Sequence, residues 1–438
     1  MKQDTSYVAS IEIGSSKITG AVGVYSSERH SLEVLAIEQE ESKDAVRYGI
    51  IQNPEEVAAR VSRIVARLNE SQAVAPGEVM GFYVGLSGRS MHSIPSEVQL
   101  HFPEETEITG EMLNRLKEDA TTIDIGSNAE ILATLPRSFQ IDGLETTSPK
   151  GAIGKSIIAT YDIIVGRTEL RRNLLRALTE RCGLQVKGVG VTSLAAANVV
   201  LSDEEKRLGC MLVDFGAETT SVSIYRKGAL WYFATLPLGG RNITRDLTSL
   251  SILEERAEEI KCESGRAIPR ETPSTLNFNG IKLSDVSNLV VARAEELVAN
   301  VIQQISYAGL KEKDLPAGIV CIGGASNLNG LLELIENMSE MTARRGALRA
   351  DIRTIDQRAK RIDTIQVAAL LYQAALAGVT GCLQTPLPET EEPAVPEDTT
   401  ETEGKEEPAP ARTGIFTRLG SRITNWFNSP SEDESELE

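Results

Sequence analysis

Glu12 and Asp214 each stand two residues before a glycine, and each closes an apolar alternating strand. The first stretch reads V-A-S-I-E-I-G-S-S-K-I-T-G-A-V-G-V, and the second reads M-L-V-D-F-G-A-E-T-T-S-V-S-I-Y-R-K-G. In both, a turn with hydroxyl residues leads into a second alternating strand. Glycine at such a bend lets backbone N–H groups approach an anion, while the acid faces the accompanying metal. Gly14, Ser15, Ser16 and Lys17 in the first bend, and Gly216, Thr219 and Thr220 in the second, are therefore candidate phosphate-binding residues. Glu12 and Asp214 are candidates for holding a metal, mostly through water. One such hairpin is compatible with an ordinary turn. Two, each opening its own α/β half, suggest a duplicated fold gripping one nucleotide between its halves.

Two weaker signals extend the site. G-I-V-C-I-G-G-A-S-N-L-N-G is a buried strand followed by a double-glycine turn. Gly323, Gly324 and Ser326 would let a flat base lie against bare backbone, although strand-Gly-Gly-helix turns are common. A-E-E-I-K places Glu258 and Lys261 three apart on one helix face, where they bracket a ribose or form a solvated ion pair. Gly154-Lys155-Ser156 mimics the end of a P-loop, but the required first glycine falls on Pro149. The residues after it alternate as a strand, and a P-loop needs a helix N-terminus at the phosphates.

The elements that must position these residues alternate between strand and helix up to about Gly381. Asn53-Pro54-Glu55-Glu56 is a helix start, with an N-cap candidate, Pro in the first turn and acids at the positive end of the dipole. Val57, Val61, Ile64, Val65 and Leu68 form its apolar face. From Phe82 to about Val165 the texture changes to short strands around a single helix near Gly110 to Ala120, as in an inserted subdomain. A helix from Thr168 to near Gly183, a strand from Val186 to Val191 and a small-residue helix from Ser193 to Leu201 come next. That last helix is slim enough to connect two halves by crossing closely against a neighbour.

The 438 residues suffice for at least two cores. Five scattered cysteines without a C-x-x-C pair, and only three histidines, argue against a disulfide framework or a zinc site and favour a reducing compartment. The start of the chain enters a strand without an apolar h-region, so no secretory signal is expected. No apolar run reaches the ~18 residues of a membrane span. The net charge of −18 is unevenly spread: fourteen acidic and four basic residues follow Leu383, leaving −8 on the body. A mildly acidic body is compatible with Mg-ATP and gives no support for nucleic-acid binding.

Thr385 to Pro410 is rich in Pro, Glu and Thr and too poor in apolar residues to build a core, which predicts a disordered linker. Beyond it, G-I-F-T-R-L-G-S-R-I-T-N-W-F-N places Ile415, Phe416, Leu419, Ile423, Trp426 and Phe427 on one helical stripe. Arg412, Arg418 and Arg422 add positive charge, and no acid occurs between Glu407 and Glu432. A basic amphipathic helix beyond a flexible linker reads as an in-plane anchor on anionic phospholipid; the alternative is a helix docking in a protein groove. The closing S-E-D-E-S-E-L-E opposes attraction to the same lipid.

Taken in order, these elements resemble the phosphate-1, connect-1, phosphate-2, adenosine and connect-2 motifs of the actin/Hsp70/sugar-kinase superfamily, with connect-2 at residues 365–379. Within it, L-P-L-G-G-R-N-I-T-R-D-L, A-E-E-I-K-C-E-S-G and the approach V-L-S-D-E-E-K-R-L-G-C-M-L-V-D-F-G resemble the FtsA cell-division family. The resemblance covers about residues 5–383. It implies an α/β, duplicated ribonuclease-H-like (actin-like) two-lobed fold with an inserted 1C-type subdomain and a disordered tail ending in an amphipathic helix. The implied boundaries are 1A at 5–83 and 165–205, 1C at 84–164, 2A at 206–249 and 316–360, and 2B at 250–315. A connect-2 helix at 361–383, an acidic linker at 384–411, a membrane-targeting helix at 412–428 and an acidic tail at 429–438 complete the chain.

The resemblance further implies ATP and Mg2+ in the cleft and actin-like filaments of the chain itself. It implies tethering of the FtsZ ring to the cytoplasmic face of the inner membrane at the division site, and contacts with downstream divisome proteins. The FtsZ C-terminal peptide would dock on 2B, with Arg293 facing it. An MreB-like cytoskeletal protein lacks this tail and insertion, a small-molecule kinase has no use for the anchor, and an Hsp70-like chaperone needs a β-rich domain where the linker lies. The chain departs from the family pattern at Glu12, usually Asp, and at Ala217 and Glu218, usually glycines. A carboxylate beside a triphosphate repels it unless it turns to metal or solvent, and positive φ at these positions would strain Ala or Glu. Connect-1 offers Thr192 and Ser193 but no acid to orient water, so weak or absent ATP hydrolysis is expected.

Overall fold

A computed structural model of the chain describes residues 5–269, 277–278 and 281–384. Two sheets built on one plan account for the body. In the first lobe, the antiparallel strands Thr5–Ile13, Lys17–Ser26 and Ser31–Glu41 are joined beside Thr5–Ile13 by the parallel strands Gly81–Leu86 and Gln185–Val191. In the second, Cys210–Phe215, Thr220–Arg226 and Ala229–Leu236 are joined beside Cys210–Phe215 by the parallel strands Ile319–Ile322 and Ala343–Arg345. The duplicated two-lobed fold is thus present strand for strand.

Apolar patterning explains how each lobe closes. The helix Pro54–Glu70 starts as expected, with Asn53 accepting from the Glu56 N–H and Pro at its first turn. Val57, Val61, Ile64 and Leu68 are fully or nearly fully buried against the first sheet. Gly20 makes room for this helix, since a Cβ there would lie 2.6 Å from the Ile64 Cγ2. The helix Thr192–Val200 and the returning helix Ile365–Leu376 are apolar on nearly every side and pack on one another, with Ala195, Ala196, Ala368 and Ala369 buried in the same core. Such all-round burial is what low side-chain bulk permits. In sequence, Thr192–Val200 lies between the first-lobe strand Gln185–Val191 and the second-lobe strand Cys210–Phe215.

The segment after Leu86 departs from expectation in two ways. Its strands are long, at His92–Glu107, Ala129–Ile141 and Ile153–Arg167, and Gly81–Leu86 before them belongs to the first-lobe sheet. The single helix is Gly110–Ala120, capped by Thr109, and Lys155 lies on a strand, so the P-loop mimic is indeed no P-loop. These strands also extend the second-lobe sheet through the Ala234–His92 bridge, covering an edge that would otherwise be open. The junction is held by the buried Arg137–Asp162 ion pair, whose guanidinium also donates to the Trp231 carbonyl and lies 4.8 Å from the Trp231 ring centroid.

After Thr168, the predicted helix is α-helical over Thr168–Leu175 and widens to a π-helical turn over Arg176–Arg181. Among the described residues no helix is long and apolar enough to cross a membrane. The amphipathic stripe at Ile415, Phe416, Leu419, Ile423, Trp426 and Phe427, with Arg418 and Arg422, lies outside the described residues.

Candidate functional site

The two hairpin bends are alike in detail. Gly14 N–H donates to the Lys17 carbonyl at 3.0 Å, and Gly216 N–H donates to the Thr219 carbonyl at 2.9 Å. Each bend carries its acid two residues earlier, Glu12 opposite Thr19 and Asp214 opposite Ser221. Neither glycine has positive φ; close approach demands glycine at Gly216 and leaves little room for a side chain at Gly14. A Cβ on Gly216 would sit 2.7 Å from the Thr219 carbonyl oxygen, and one on Gly14 would sit 3.1 Å from that of Lys17.

Glu12 on the first lobe and Asp214 on the second lie close enough for the charge of one to act on the other. Burial pushes the Glu12 carboxyl up to about 7, the charge of Asp214 adds to that rise, and Lys17 opposes it. Burial likewise pushes Asp214 up to about 6, against the amide of Gln366, which donates to its Oδ1 at 2.8 Å. Both residues are walled by protein yet keep an opening to the cleft, and are only partly buried. Two facing carboxylates with raised proton affinity suit a hard divalent cation that keeps several waters, which is how Mg2+ is usually held. The pair is compatible with Mg2+ and would hold it together with waters and substrate phosphates.

The Gly323-Gly324 turn belongs to the same place. Gly323 has φ +86, and a Cβ there would collide with the Asp214 carboxylate and with the Phe215 carbonyl. Its N–H donates to the Ile362 carbonyl at 3.3 Å. Nearby, Lys17 Nζ pairs with Asp363 at 2.5 Å, and the Asp363 Cβ is the nearest neighbour a Cβ on Gly324 would meet. Across the turn, Ala325 lies against Gly240, and Gly240 against Lys261. Glu12, Asp214, Gly14, Lys17, Gly216, Gly323, Gly324 and Lys261 are thus linked by neighbouring contacts that run from one lobe to the other.

Comparison with known proteins places the chain in a family. Residues 211–370 match the family Cell division protein FtsA, and residues 88–165 match the family SHS2 domain inserted in FTSA. The Cell division protein FtsA of Porphyromonas gingivalis is 31% identical over 348 residues, covering 77% of this chain and 72% of that protein. The chain belongs to the FtsA cell-division family. The Escherichia coli family member is 26% identical over 364 residues, covering 78% of this chain and 84% of its own. Among solved structures, the PilM-PilN type IV pilus biogenesis complex aligns with TM-score 0.59 at 16% identity, over 84% of this chain and 97% of that chain. MreB5 of Spiroplasma citri bound to ADP aligns with TM-score 0.50 at 12% identity, over 86% and 97%. These likenesses establish the actin-like fold.

Within this FtsA-family chain, several hydroxyls chosen from the sequence serve the fold. Thr220 Oγ1 donates to the Leu238 carbonyl at 2.8 Å and Ser326 Oγ to the Gly323 carbonyl at 2.6 Å, and both residues are fully buried. Ser15 is buried and accepts from the Gly49 N–H at 2.9 Å, whereas Ser16 is exposed and Thr219 partly so. Lys261 is not a freely solvated partner of Glu258. It pairs with Glu258 at 2.6 Å and also donates to Thr244 Oγ1 and the Gly240 carbonyl. Burial would raise the Glu258 carboxyl, but Lys261 and the Thr244 hydroxyl hold it below the ordinary range. Arg293 is already engaged, by Asp246 at 2.6 Å and by Glu296.

Glu218 overturns two expectations. It turns neither to metal nor to solvent: its carboxylate is 1% exposed and receives Arg47, Arg241, Arg245 and the Tyr48 N–H. Neither Ala217 nor Glu218 has positive φ, so the bend accommodates both without the predicted strain. Arg241 and Arg245 were visible as an i,i+4 pair inside the Gly239-Gly240 motif, read there only as a family marker. Arg47, Tyr48 and Gly49 carry no comparable sequence signal.

The Glu12 shift has a measurable sign. Its folded value near 7 lies above the ordinary 4.5, so the folded state holds the proton more tightly. The stability it contributes is complete below the ordinary carboxylate range and is lost as pH rises through 7. In EDTA, wild type should lose about 2 kcal/mol relative to Glu12→Gln between about pH 5 and pH 8, an amount trimmed by the opening to water. Urea denaturation of both proteins across that range checks it, and Mg-ATP should shrink the difference.

Proposed function

We propose that this chain binds ATP with Mg2+ between its lobes, polymerises into actin-like filaments on the cytoplasmic face of the inner membrane, and tethers the FtsZ ring there while recruiting downstream divisome proteins. The observation that carries the nucleotide reading is the meeting of both hairpin bends and the Gly323-Gly324 turn around the Glu12–Asp214 pair. An ADP-bound neighbour of the same fold supports it. Gly14, Ser15, Ser16, Lys17, Gly216 and Thr219 are the residues offered to phosphates, with Thr220 and Ser326 shaping the turns. Glu258 and Lys261 stand at the side where a ribose would lie, and Gly324 where a base would.

What the residues can do chemically favours binding over turnover. Bound Mg2+ would neutralise phosphate charge. Glu12 and Asp214 would orient its waters, and the bends would fix the phosphates. Glu218, the additional carboxylate near the bends, is fully engaged by guanidinium groups and cannot orient an attacking water. ATP hydrolysis is accordingly weak or absent. FtsZ would dock on the 250–315 region. There an acidic peptide would compete with Glu296 for Arg293, because Asp246 already takes two of its nitrogens.

The tethering reading rests on the terminal stripe of Ile415, Phe416, Leu419, Ile423, Trp426 and Phe427 with its arginines. Filaments would multiply weak single anchors into firm attachment. The test is three-way co-pelleting of the full chain with FtsZ and anionic vesicles, with and without residues 412–428. Vesicles should carry FtsZ down only when the full chain is present. FtsZ pelleting with vesicles to the same extent without residues 412–428 would exclude tethering by this helix.

A further inference from the structure

The second hairpin bend reaches across the cleft. Tyr48 and Gly49 form a two-residue turn between the short strands Val46–Arg47 and Ile50–Ile51 of the first lobe, with φ of 51 and 74. Two successive left-handed residues make the tight turn that suits a hairpin, but a tyrosine at positive φ is held there only by its surroundings. Its surroundings are the two bends. The Tyr48 N–H donates to Glu218 Oε2 at 2.7 Å, from the second lobe, and the next N–H, of Gly49, donates to Ser15 Oγ at 2.9 Å in the first.

The other oxygen of Glu218 is equally engaged. Oε1 accepts from Arg47 Nε at 2.9 Å on the first lobe, and from Arg245 Nη2 at 2.7 Å and Arg241 Nη1 at 3.4 Å on the second. Arg89 lies over the Tyr48 ring at 5.2 Å and adds a fourth guanidinium nearby. Two further acids that pair with these arginines are exposed: Asp44 on Arg47 and Glu254 on Arg241. Convergent guanidinium groups and a backbone N–H are an anion-recognition set. Without an anion they would repel one another across the cleft. In this chain the anion is a side chain.

We infer that Glu218 supplies from within the chain the negative charge that draws the two lobes together, so that a nucleotide's third phosphate is dispensable for closure. This rests on the nucleotide reading above and makes Glu218 a specificity-determining residue within it. A third phosphate entering wild type meets guanidinium groups already engaged by a carboxylate and gains less than it would from an unoccupied cluster. The site therefore takes nucleoside diphosphates and triphosphates with comparable affinity. Once Glu218 is removed, the cluster is left open to the terminal phosphate.

The experiment is isothermal titration of the full-length protein with ADP and with ATP, each in Mg2+, for wild type, Glu218→Gly and Glu218→Gln. Wild type should bind the two within about threefold, while Glu218→Gly should prefer ATP by about tenfold or more. Glu218→Gln, which keeps the shape and loses the charge, should shift the ratio the same way and serves if the glycine variant does not fold. Nucleotide-free hydrogen exchange adds a second readout: the Tyr48-Gly49 segment should be protected in wild type and exchange faster in either variant. A wild-type preference for ATP above about tenfold, or a ratio or protection unchanged in the variants, overturns the inference while leaving the nucleotide site standing. Absence of binding by all three proteins overturns the nucleotide site itself, and the inference with it.

Discussion

Gly323→Ala should cost about 3 kcal/mol of stability, whereas Gly324→Ala, one residue on, should change it by less than about 1 kcal/mol. The contrast comes from geometry at two adjacent glycines. At Gly323 the backbone has φ +86, a conformation that L side chains rarely adopt. An added Cβ would also press on the Asp214 carboxylate and lie 2.5 Å from the Phe215 carbonyl oxygen. Neither neighbour can yield. Asp214 is held by Gln366, and Phe215 is a fully buried strand residue. Relief would come only by moving the Ile319–Ile322 strand off its parallel neighbour, at the expense of the ladder from Met211 to Asp214.

Gly324 has ordinary φ, and the nearest atom to an added Cβ is the Asp363 Cβ at 3.8 Å, an ordinary contact. It opens a short 3-10 turn, where alanine is well tolerated. Urea denaturation of both variants measures the difference directly. Because Gly324→Ala leaves the fold intact, it also isolates the part of this turn that would face a base. Weakened nucleotide binding by that variant, at unchanged stability, would separate recognition from architecture at two neighbouring positions. Equal stability losses in both variants would contradict the assigned geometry.

Much of this architecture was legible because it rests on strong local signals. Strand alternation around Glu12-Ile13-Gly14 and Asp214-Phe215-Gly216 marked both bends, and the repeated acid-x-Gly spacing implied that one lobe copies the other. The helix start at Asn53-Pro54 and the slim Ala-rich helices were equally readable. What escaped was everything set by chain crossings. Glu218 looked misplaced as a residue in a phosphate bend, since its partners Arg47 and Arg245 lie far away in sequence and on opposite lobes. Tyr48 gave no warning of a left-handed turn, because that conformation is imposed by hydrogen bonds from both bends and not by its own preference. The insertion's union with the second-lobe sheet is made by long-range contacts: the Ala234–His92 bridge, the Thr235 N–H to the Met91 carbonyl, the Phe233 N–H to Ser93 Oγ, and the Arg137–Asp162 pair reaching the Trp231 carbonyl. Alternation specifies a strand but not its neighbour. Likewise, a free serine or threonine hydroxyl cannot be told from one that closes a turn, which is where Thr220 and Ser326 belong.

Trp426→Glu should release the full chain from anionic vesicles, lowering its membrane partition by about 100-fold per protomer. The figure joins two losses. Removing the indole forfeits about 2 kcal/mol of apolar transfer, and the new carboxylate is repelled by anionic lipid by about 1 kcal/mol. Together they come to about 3 kcal/mol, close to the ~2.8 kcal/mol that corresponds to two decades in an equilibrium constant. The remaining attraction comes from Arg412, Arg418 and Arg422, offset by the acids that begin at Glu432. With so small a reserve, one anchor cannot absorb the change. Trp426→Phe keeps an apolar ring on the stripe and should retain most binding, which separates loss of hydrophobicity from loss of a specific indole contact. Raised salt should weaken wild-type binding, since the arginine contribution is screened within a Debye length. Neutral vesicles should bind poorly for the same reason. In the proposed filaments each protomer would contribute one anchor, so the loss per anchor would compound along the assembly. Co-sedimentation at protein concentrations below and above the onset of assembly would reveal that compounding. Unchanged sedimentation of Trp426→Glu would instead assign the terminal stripe to a protein groove, the one other surface its amphipathic pattern fits.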